Sequence, residues 1–359
     1  MLMNKKLRIG VLFGGRSVEH EISLRSATNV VANMDRGGFE PILIGIDKNG
    51  GWYLCEKISK DIASGSPISL ILDSKGHYFL DSKSGEKLNL DLVFPALHGE
   101  DGEDGSVQGM LTMAKIPFAG SGVTGSGNSM DKFISKKLLL EAGVPVGKYV
   151  QKFYHEKATI SFNAIKEKIG LPFIIKPSCS GSSVGVNKVS SESDFREALD
   201  DTFKYDNSIL FEEFIEGREL ECAIIGNEKP IASNPGEVVI SSDYEFYTYA
   251  AKYMDEAAAK IIVPADVPTD IAKKIKKLSI QAYRALNCED FARVDLFLKE
   301  NGEVLVNEIN TIPGFTDVSM FPVLWQEGGI SYKDLITKLI DFAMAKFKQK
   351  SRLETNFDS

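Results

Sequence analysis

Hydrophobic and polar positions along the chain change period several times. Leu7 to Phe13 (LRIGVLF) is a mostly apolar run ending at Gly14-Gly15, the pattern of a strand buried in a parallel sheet. Ile22 to Met34 carries the spacing of a helix. Pro41 to Ile46 (PILIGI) and Leu90 to Leu97 (LDLVFPAL) predict two further strands. Strands alternating with helices imply an α/β layer for the first 120 or so residues. Eight glycines fall between Gly99 and Gly127, a density that predicts loops passing close to a ligand or to other backbone. Asp131 to Ala142 predicts a helix stopped by Gly143 and Pro145. Further strands are expected at Phe173–Lys176, Ile209–Ile215 and Glu219–Ile225, and a helix at Ile271–Leu286. A C-terminal helix should end before a polar tail, Gln349 to Ser359.

Length then sets the scale. At 359 residues, 43% hydrophobic and 26% charged, the chain suits two or three soluble domains. No window approaches the roughly 18 consecutive apolar residues of a membrane span, so no membrane association is expected. Lys and Arg number 42 against 50 Asp and Glu, and no basic stripe stands out, so nucleic acid is not expected as a partner. Cys55, Cys179, Cys222 and Cys288 contain no CxxC pair, which fits a reducing compartment better than a zinc ribbon or disulfide scaffold. Met1 to Lys6 leads straight into a core strand, so no signal peptide is expected and the cytoplasm is the default location.

The most informative local pattern lies near the C-terminus. Phe291 to Leu298 (FARVDLFL) and Glu303 to Asn310 (EVLVNEIN) flank Asn301-Gly302, the signal for a two-residue type I′ hairpin. That turn would set Asp295 opposite Glu308 and Arg293 opposite Asn310, all on one face. Two opposed carboxylates repel unless something sits between them, and a hard divalent cation removes the conflict. Arg293 adds a permanent charge suited to a carboxylate or phosphoryl oxygen. Taken alone, these four residues read equally as the solvated face of an edge hairpin. The turn-rich loop from Asn310 to Thr316 favours the functional reading, because loops in that position commonly carry chemistry.

Lys176 to Gly185 (KPSCSGSSVG) places a lysine at a strand end before a small, hydroxyl-rich loop, an arrangement suited to phosphate oxygens although no Walker A motif is present. Taken alone, a Gly/Ser loop is more often only a loop. Glu212 and Glu219 add acceptors for an adenine and a ribose, yet such a charge run is usually a solvated face.

In order along the chain, GGRSVEHEIS (Gly14–Ser23), LHGEDGEDGSVQG (Leu97–Gly109), MDK (Met130–Lys132), KPSCSGSSVG, YTYAAKY (Tyr247–Tyr253), RVD (Arg293–Asp295) and NEINTIPGFTDVSMFP (Asn307–Pro322) occur together. The set resembles the ATP-grasp superfamily and, within it, the D-alanine–D-alanine ligases, over nearly the whole chain. The resemblance implies an α/β fold, α+β in its C-terminal half, with three domains. These are a parallel-sheet N-terminal domain (1–122), a central ATP-grasp domain (123–208) and a C-terminal domain with a metal site (209–347), followed by a polar tail (348–359). It implies ATP-dependent joining of two D-alanine molecules through an acylphosphate, for peptidoglycan precursor synthesis, by a homodimer.

Residue by residue, the resemblance assigns Asp295, Glu308 and Asn310 to two Mg²⁺ (or Mn²⁺) ions. Lys132 and Lys176 belong with the ATP phosphates, as does Lys252. Glu212, the backbone near Ile215, and Glu219 match adenine and ribose contacts, and Ser182 belongs to the same nucleotide-facing loop. Arg293 and the Gly314 N–H resemble an oxyanion hole. Glu19 corresponds to the acceptor of the first substrate's ammonium, and His98 lines that pocket. As a lone histidine, His98 reads equally as a packed, hydrogen-bonded residue. Ser319 and the Met320 backbone match the second substrate's carboxylate contact. Ser182 and Tyr253 resemble partners of Glu19 in a triad that latches a loop over the site. Cys179-Ser180 departs from the commoner charged or amide residues of that loop.

A nicotinamide dehydrogenase is excluded because Gly14-Gly15 lacks GxGxxG spacing and no acidic residue ends the second strand. A non-catalytic ATP-grasp regulator would require lost metal, lysine or arginine positions, and all are filled. Tyr253 disfavours D-lactate as second substrate. D-Serine stays open.

Overall fold

The computed structural model describes residues 5–74, 76–241 and 259–354. Its strands form three sheets, of seven, four and six strands among the described residues.

The first sheet is built on β1 (Leu7–Gly14), β2 (Phe39–Ile46) and, after four strands described below, β7 (Leu92–Pro95), with β1 central and parallel to both others. Residues 9–14 of β1 are buried without alternation, as expected of a strand covered on both faces. Helix α1 (His20–Asn33) packs against it. The parallel core is as anticipated, but an antiparallel arm of β3 (Trp52–Cys55), β4 (Ser66–Asp73), β5 (Gly76–Asp81) and β6 (Lys87–Leu88) extends the sheet beyond β2. Its strands are only partly buried, so they lack the unbroken buried runs that mark the core strands.

The glycine-rich stretch is not all loop. It contains α2 (Ser106–Met113) and α3 (Val123–Met130). Glycine weakens a helix by about 1 kcal/mol, but close packing explains its presence here. A Cβ at Gly125 would lie 2.4 Å from the Asn287 carbonyl oxygen of the C-terminal half. Helix α4 (Lys132–Glu141) follows, capped by the Asp131 carboxylate, which accepts from the N–H groups of Phe133 and Ile134.

The second sheet, in order β10 (Asn187–Val189), β9 (Phe173–Pro177), β11 (Ser208–Glu213), β8 (Tyr149–Phe153), is covered by α5 (Phe162–Ile169) and α6 (Glu192–Thr202). Its separate core gathers Phe162, Phe173, Phe195 and Phe211. The boundary expected after residue 208 falls at the start of β11. By strand pairing β11 belongs to this sheet, and the chain changes sheets across 214–217.

The third sheet runs β15 (Ala259–Ile262), β14 (Gly236–Ile240), β12 (Arg218–Ile225), β16 (Phe291–Leu298), β17 (Val304–Asn310), with β13 (Ile231–Ala232) beside β12. Helix α7 (Thr269–Ala285) packs on β12 and β16, while α8 (Met320–Glu327) and α9 (Tyr332–Ser351) follow the last strand. One core joins the first and third sheets, with Phe94 meeting Phe291 and Phe315 directly. Helix α9 runs to Ser351, past the expected start of the polar tail, and buries Lys346 near its end. No described helix is long and apolar enough to cross a membrane.

The hairpin of β16 and β17 differs from expectation in its turn. Leu298 pairs with Val304, and the Lys299 N–H donates to the Glu303 carbonyl. The loop is therefore three residues, 300–302, with Gly302 at φ 79° and Asn301 outside the positive-φ region a type I′ turn requires. A register shift between Asp295 and Leu296, with Asn307 as the extra residue, then restores the pairings Asp295–Glu308 and Arg293–Asn310.

Candidate active site

Three sheets meet at a cleft of about 770 Å³. From the first sheet come the loops beyond β1 and β7, the carboxyl ends of parallel strands, where ligands of α/β sheets bind. Ser23 ties the two exits together: its hydroxyl donates to the Ala96 carbonyl (2.6 Å) and accepts from the Gly14 N–H (2.8 Å). Glu19, immediately before α1, is buried and accepts a hydrogen bond from the Ser182 hydroxyl. Ser182 and Ser183 have φ of 50° and 58°, so the Gly/Ser loop reaches Glu19 through left-handed backbone, conformations that cluster at functional sites.

His98 uses both ring nitrogens on protein groups. Nδ1 lies 3.0 Å from the Ile312 carbonyl and Nε2 lies 2.8 Å from the Ser26 hydroxyl, which also accepts from the Phe315 N–H. A carbonyl only accepts, so Nδ1 carries the proton and the Ser26 hydroxyl donates to Nε2. Burial pushes the imidazole pKa down and keeps it neutral. His98 lines the cleft and, through both ring nitrogens, ties α1 to the 312–315 loop.

Glu103 went unassigned in the sequence. Its carboxylate accepts from the Gly99 N–H (2.8 Å) and the Ile312 N–H (3.1 Å), joining the loop after β7 to the loop after β17. Burial, with the charge of Glu19 added, pushes its pKa up to about 8. The glycines flanking it were the only local signal.

On the second sheet, Lys176 is the penultimate residue of β9 and its ammonium is 2.9 Å from Glu212. Lys136, also buried, approaches the other oxygen of Glu212 at 3.3 Å. Burial opposes the charge on Lys176, but Glu212 and Glu308 outweigh it and raise its pKa. For Lys136 burial wins and lowers it. Glu212 thus places its carboxylate between two ammonium groups. Lys132 starts α4 and donates from Nζ to the Ser180 carbonyl (2.6 Å) at the Gly/Ser loop. Lys136 was missed, though it lies one turn beyond Lys132 on the same helix.

The third sheet contributes Arg293, Asp295, Glu308 and Asn310. The Arg293 fork grips Asp295 through Nε and Nη2, both 2.7 Å from carboxylate oxygens, and the Asn310 amide donates to the same carboxylate at 3.0 Å. Beyond β17, Gly314 approaches Ser319, whose hydroxyl accepts from the Thr316 N–H and pairs with the Thr316 hydroxyl at 2.7 Å. Ser319 is the residue before α8, and it and Met320 are among the residues that line the cleft.

Every expected site residue that the structure describes lines this one cleft. Lys252 and Tyr253 lie outside the described residues. Among the described residues no three His, Cys, Asp or Glu side chains stand together as a ready-made metal cluster.

Two family models match, "D-ala D-ala ligase N-terminus" over residues 8–121 and "D-ala D-ala ligase C-terminus" over 138–341. The chain belongs to the D-alanine–D-alanine ligase family. It is 46% identical over 363 aligned positions to the D-alanine–D-alanine ligase of Shouchella clausii, covering 98% of each chain. The D-alanine–D-alanine ligase structure from Coxiella burnetii superposes with a TM-score of 0.86 at 32% identity, covering 97% of each chain. The VanG D-Ala:D-Ser ligase of Enterococcus faecalis gives 0.84 at 34% identity, covering 94% of this chain and 100% of that one. The three-sheet α/β architecture is therefore the ATP-grasp fold of these ligases, and the family implies use of ATP.

Proposed function

We propose that this enzyme joins two D-alanine molecules at the expense of ATP: the γ-phosphoryl group passes to the first carboxylate as an acylphosphate with ADP leaving, and the second amine displaces phosphate from it. The observation that carries the assignment is the convergence of Lys132 and Lys176 with Arg293 and the Asp295–Glu308 pair on one cleft. It brings cationic phosphate grips and an oxyanion donor to a single reacting centre.

Each residue has a physical task. Lys132 and Lys176 neutralise phosphate oxygens, Glu212 keeps Lys176 protonated and aimed, and Ile215 and Glu219 hold the base and ribose. Glu19 receives the first ammonium. Arg293 and the Gly314 N–H meet the charge that develops on the attacked carbonyl, a site where preorganised donors act most strongly. The second carboxylate rests on Ser319 and the Met320 backbone at the start of α8, where unpaired N–H groups favour an anion. Ser182 latches the Gly/Ser loop onto Glu19, which keeps water from the acylphosphate.

A metal fits the residues present. Asp295 and Glu308 are carboxylates paired directly across two strands and Asn310 adds an amide oxygen, the hard-oxygen donors Mg²⁺ or Mn²⁺ prefers. Bound there, it would neutralise triphosphate charge.

The test is ATP-dependent phosphate release with D-alanine, D-lactate and D-serine offered in turn. Release with D-alanine and product of the dipeptide's mass support the assignment. Release only when D-serine is added would replace it with a D-alanyl-D-serine ligase, and no release with any would refute both.

A further inference from the structure

Glu221 lines the cleft beside the Asp295–Glu308 pair. It lies on β12 directly opposite Asp295, which in turn lies opposite Glu308. Three carboxylates therefore form one row across three adjacent strands. Arg293 stands one pair along on the same face, since Ala223 is its partner on β12, and its side chain reaches back into the row. Its Nε is 2.7 Å from Asp295 Oδ1 and 2.8 Å from Glu221 Oε2. The Nε–H donates to Asp295, and Glu221 stands at ion-pair distance from the same nitrogen. All three side chains are more than four-fifths buried, at 12, 18 and 17% exposure for Glu221, Arg293 and Asp295.

This geometry has a consequence once Asp295 serves a cation. A divalent ion on Asp295 draws on the same lone pairs that the guanidinium fork uses and weakens that grip. Arg293 then loses part of its counter-charge, and an under-compensated charge at this depth is strongly unfavourable. We propose that Glu221 is a positioning residue that takes over Arg293 when Asp295 turns to the metal ion, holding the guanidinium in the cleft as an oxyanion donor. The role rests on the metal assignment above and extends it to a residue outside the donor set.

Mn²⁺ binding in the presence of ADP, followed by loss of the free-ion EPR signal, tests this without turnover. Glu221→Gln removes one of the two carboxylates that stand 2.8 and 2.7 Å from the Arg293 Nε and strengthens the hold of Arg293 on Asp295, in competition with the ion. Affinity should fall about ten- to a hundredfold, as for other residues that act on a metal ligand from behind. Glu221→Asp keeps the charge but loses a methylene of reach, so it should also weaken binding, while near-UV circular dichroism verifies the fold of each variant. In an Arg293→Gln background, Glu221→Gln should have no further effect. Unchanged affinity in Glu221→Gln, or a loss that persists without Arg293, overturns the hand-off, the latter making Glu221 a plain charge or a ligand. Glu308→Gln separates the two levels. If it leaves Mn²⁺ affinity intact, the metal assignment falls and the hand-off with it; if it abolishes binding while Glu221→Gln does not, only the hand-off falls.

Discussion

Asp295 and Glu308 face each other because two irregularities cancel. The three-residue turn displaces the register by one position relative to a two-residue turn, and the bulge at Asn307 displaces it back. Without the bulge, β17 would present Asn307 and Ile309 where Glu308 and Asn310 now stand.

Deleting Asn307 should therefore remove the bulge and keep the pairing. Glu308 then follows Val306 directly and still lies opposite Asp295, so the same face of the strand meets the cleft. The expected result is retained ATP- and D-alanine-dependent phosphate release with the far-ultraviolet circular dichroism retained. Loss of turnover in the folded variant would show that the bulge itself, and not only the Asp295–Glu308 pairing, is required.

Arg293→Lys should not substitute despite keeping the charge. The fork that now grips two oxygens of Asp295 could likewise hold two oxygens of a developing oxyanion, and an ammonium has no such planar pair. Loss of one such donor lowers turnover about 10²-fold or more. Steady-state kcat within a few-fold of wild type would remove Arg293 from the oxyanion site.

A buried ion pair outside the cleft should govern stability. Asp290 is fully buried and takes hydrogen bonds from the Gly120 N–H (2.9 Å) and the Asn227 amide (2.9 Å), with the Lys346 ammonium at 2.6 Å. It links α9, the connection between the first sheet and α3, and the start of β16. Burial raises the Asp290 pKa despite Lys346, so removing the ammonium leaves an anion with inadequate compensation. Lys346→Met should lower the unfolding free energy by about 3–5 kcal/mol. Denaturant titration should show the double variant with Asp290→Asn recovering part of that loss. Additive losses would refute the pairing.

Glu103 predicts a dependence on pH. Its folded pKa of about 8 lies above that of a free carboxyl, so the folded state binds the extra proton across the window between them. Its contribution to stability is complete below the unfolded pKa, about 4.3, and is lost as pH rises through about 8. Glu103→Gln removes this titration. Urea midpoints measured at pH 5, 7 and 9 should therefore decline less with pH in the variant than in wild type. Parallel declines would show that Glu103 does not hold the proton.

Much of the molecule was legible in residue order. The parallel core strands show as unbroken apolar runs because both of their faces are covered. Helix α4 shows through its cap and its glycine stop. The motifs placed Glu19, Lys132, Lys176, Arg293 and Ser319 at strand ends, loops and helix starts, where folding gathers them. Those signals are local: a period, a cap or a turn residue is set by neighbours in the chain. What escaped depends on distant partners. The half-buried arm β3–β6 lacks a strong period, and the glycines of α3 are explained only by the backbone packed against them. Glu221 and Glu103 matter because strand register and loop closure set them beside Arg293 and Ile312. The bulge at Asn307 follows from pairing across the sheet, where burial of one face outweighs the preference of the turn. That balance is struck between segments far apart in the chain, and so is settled only when they pack.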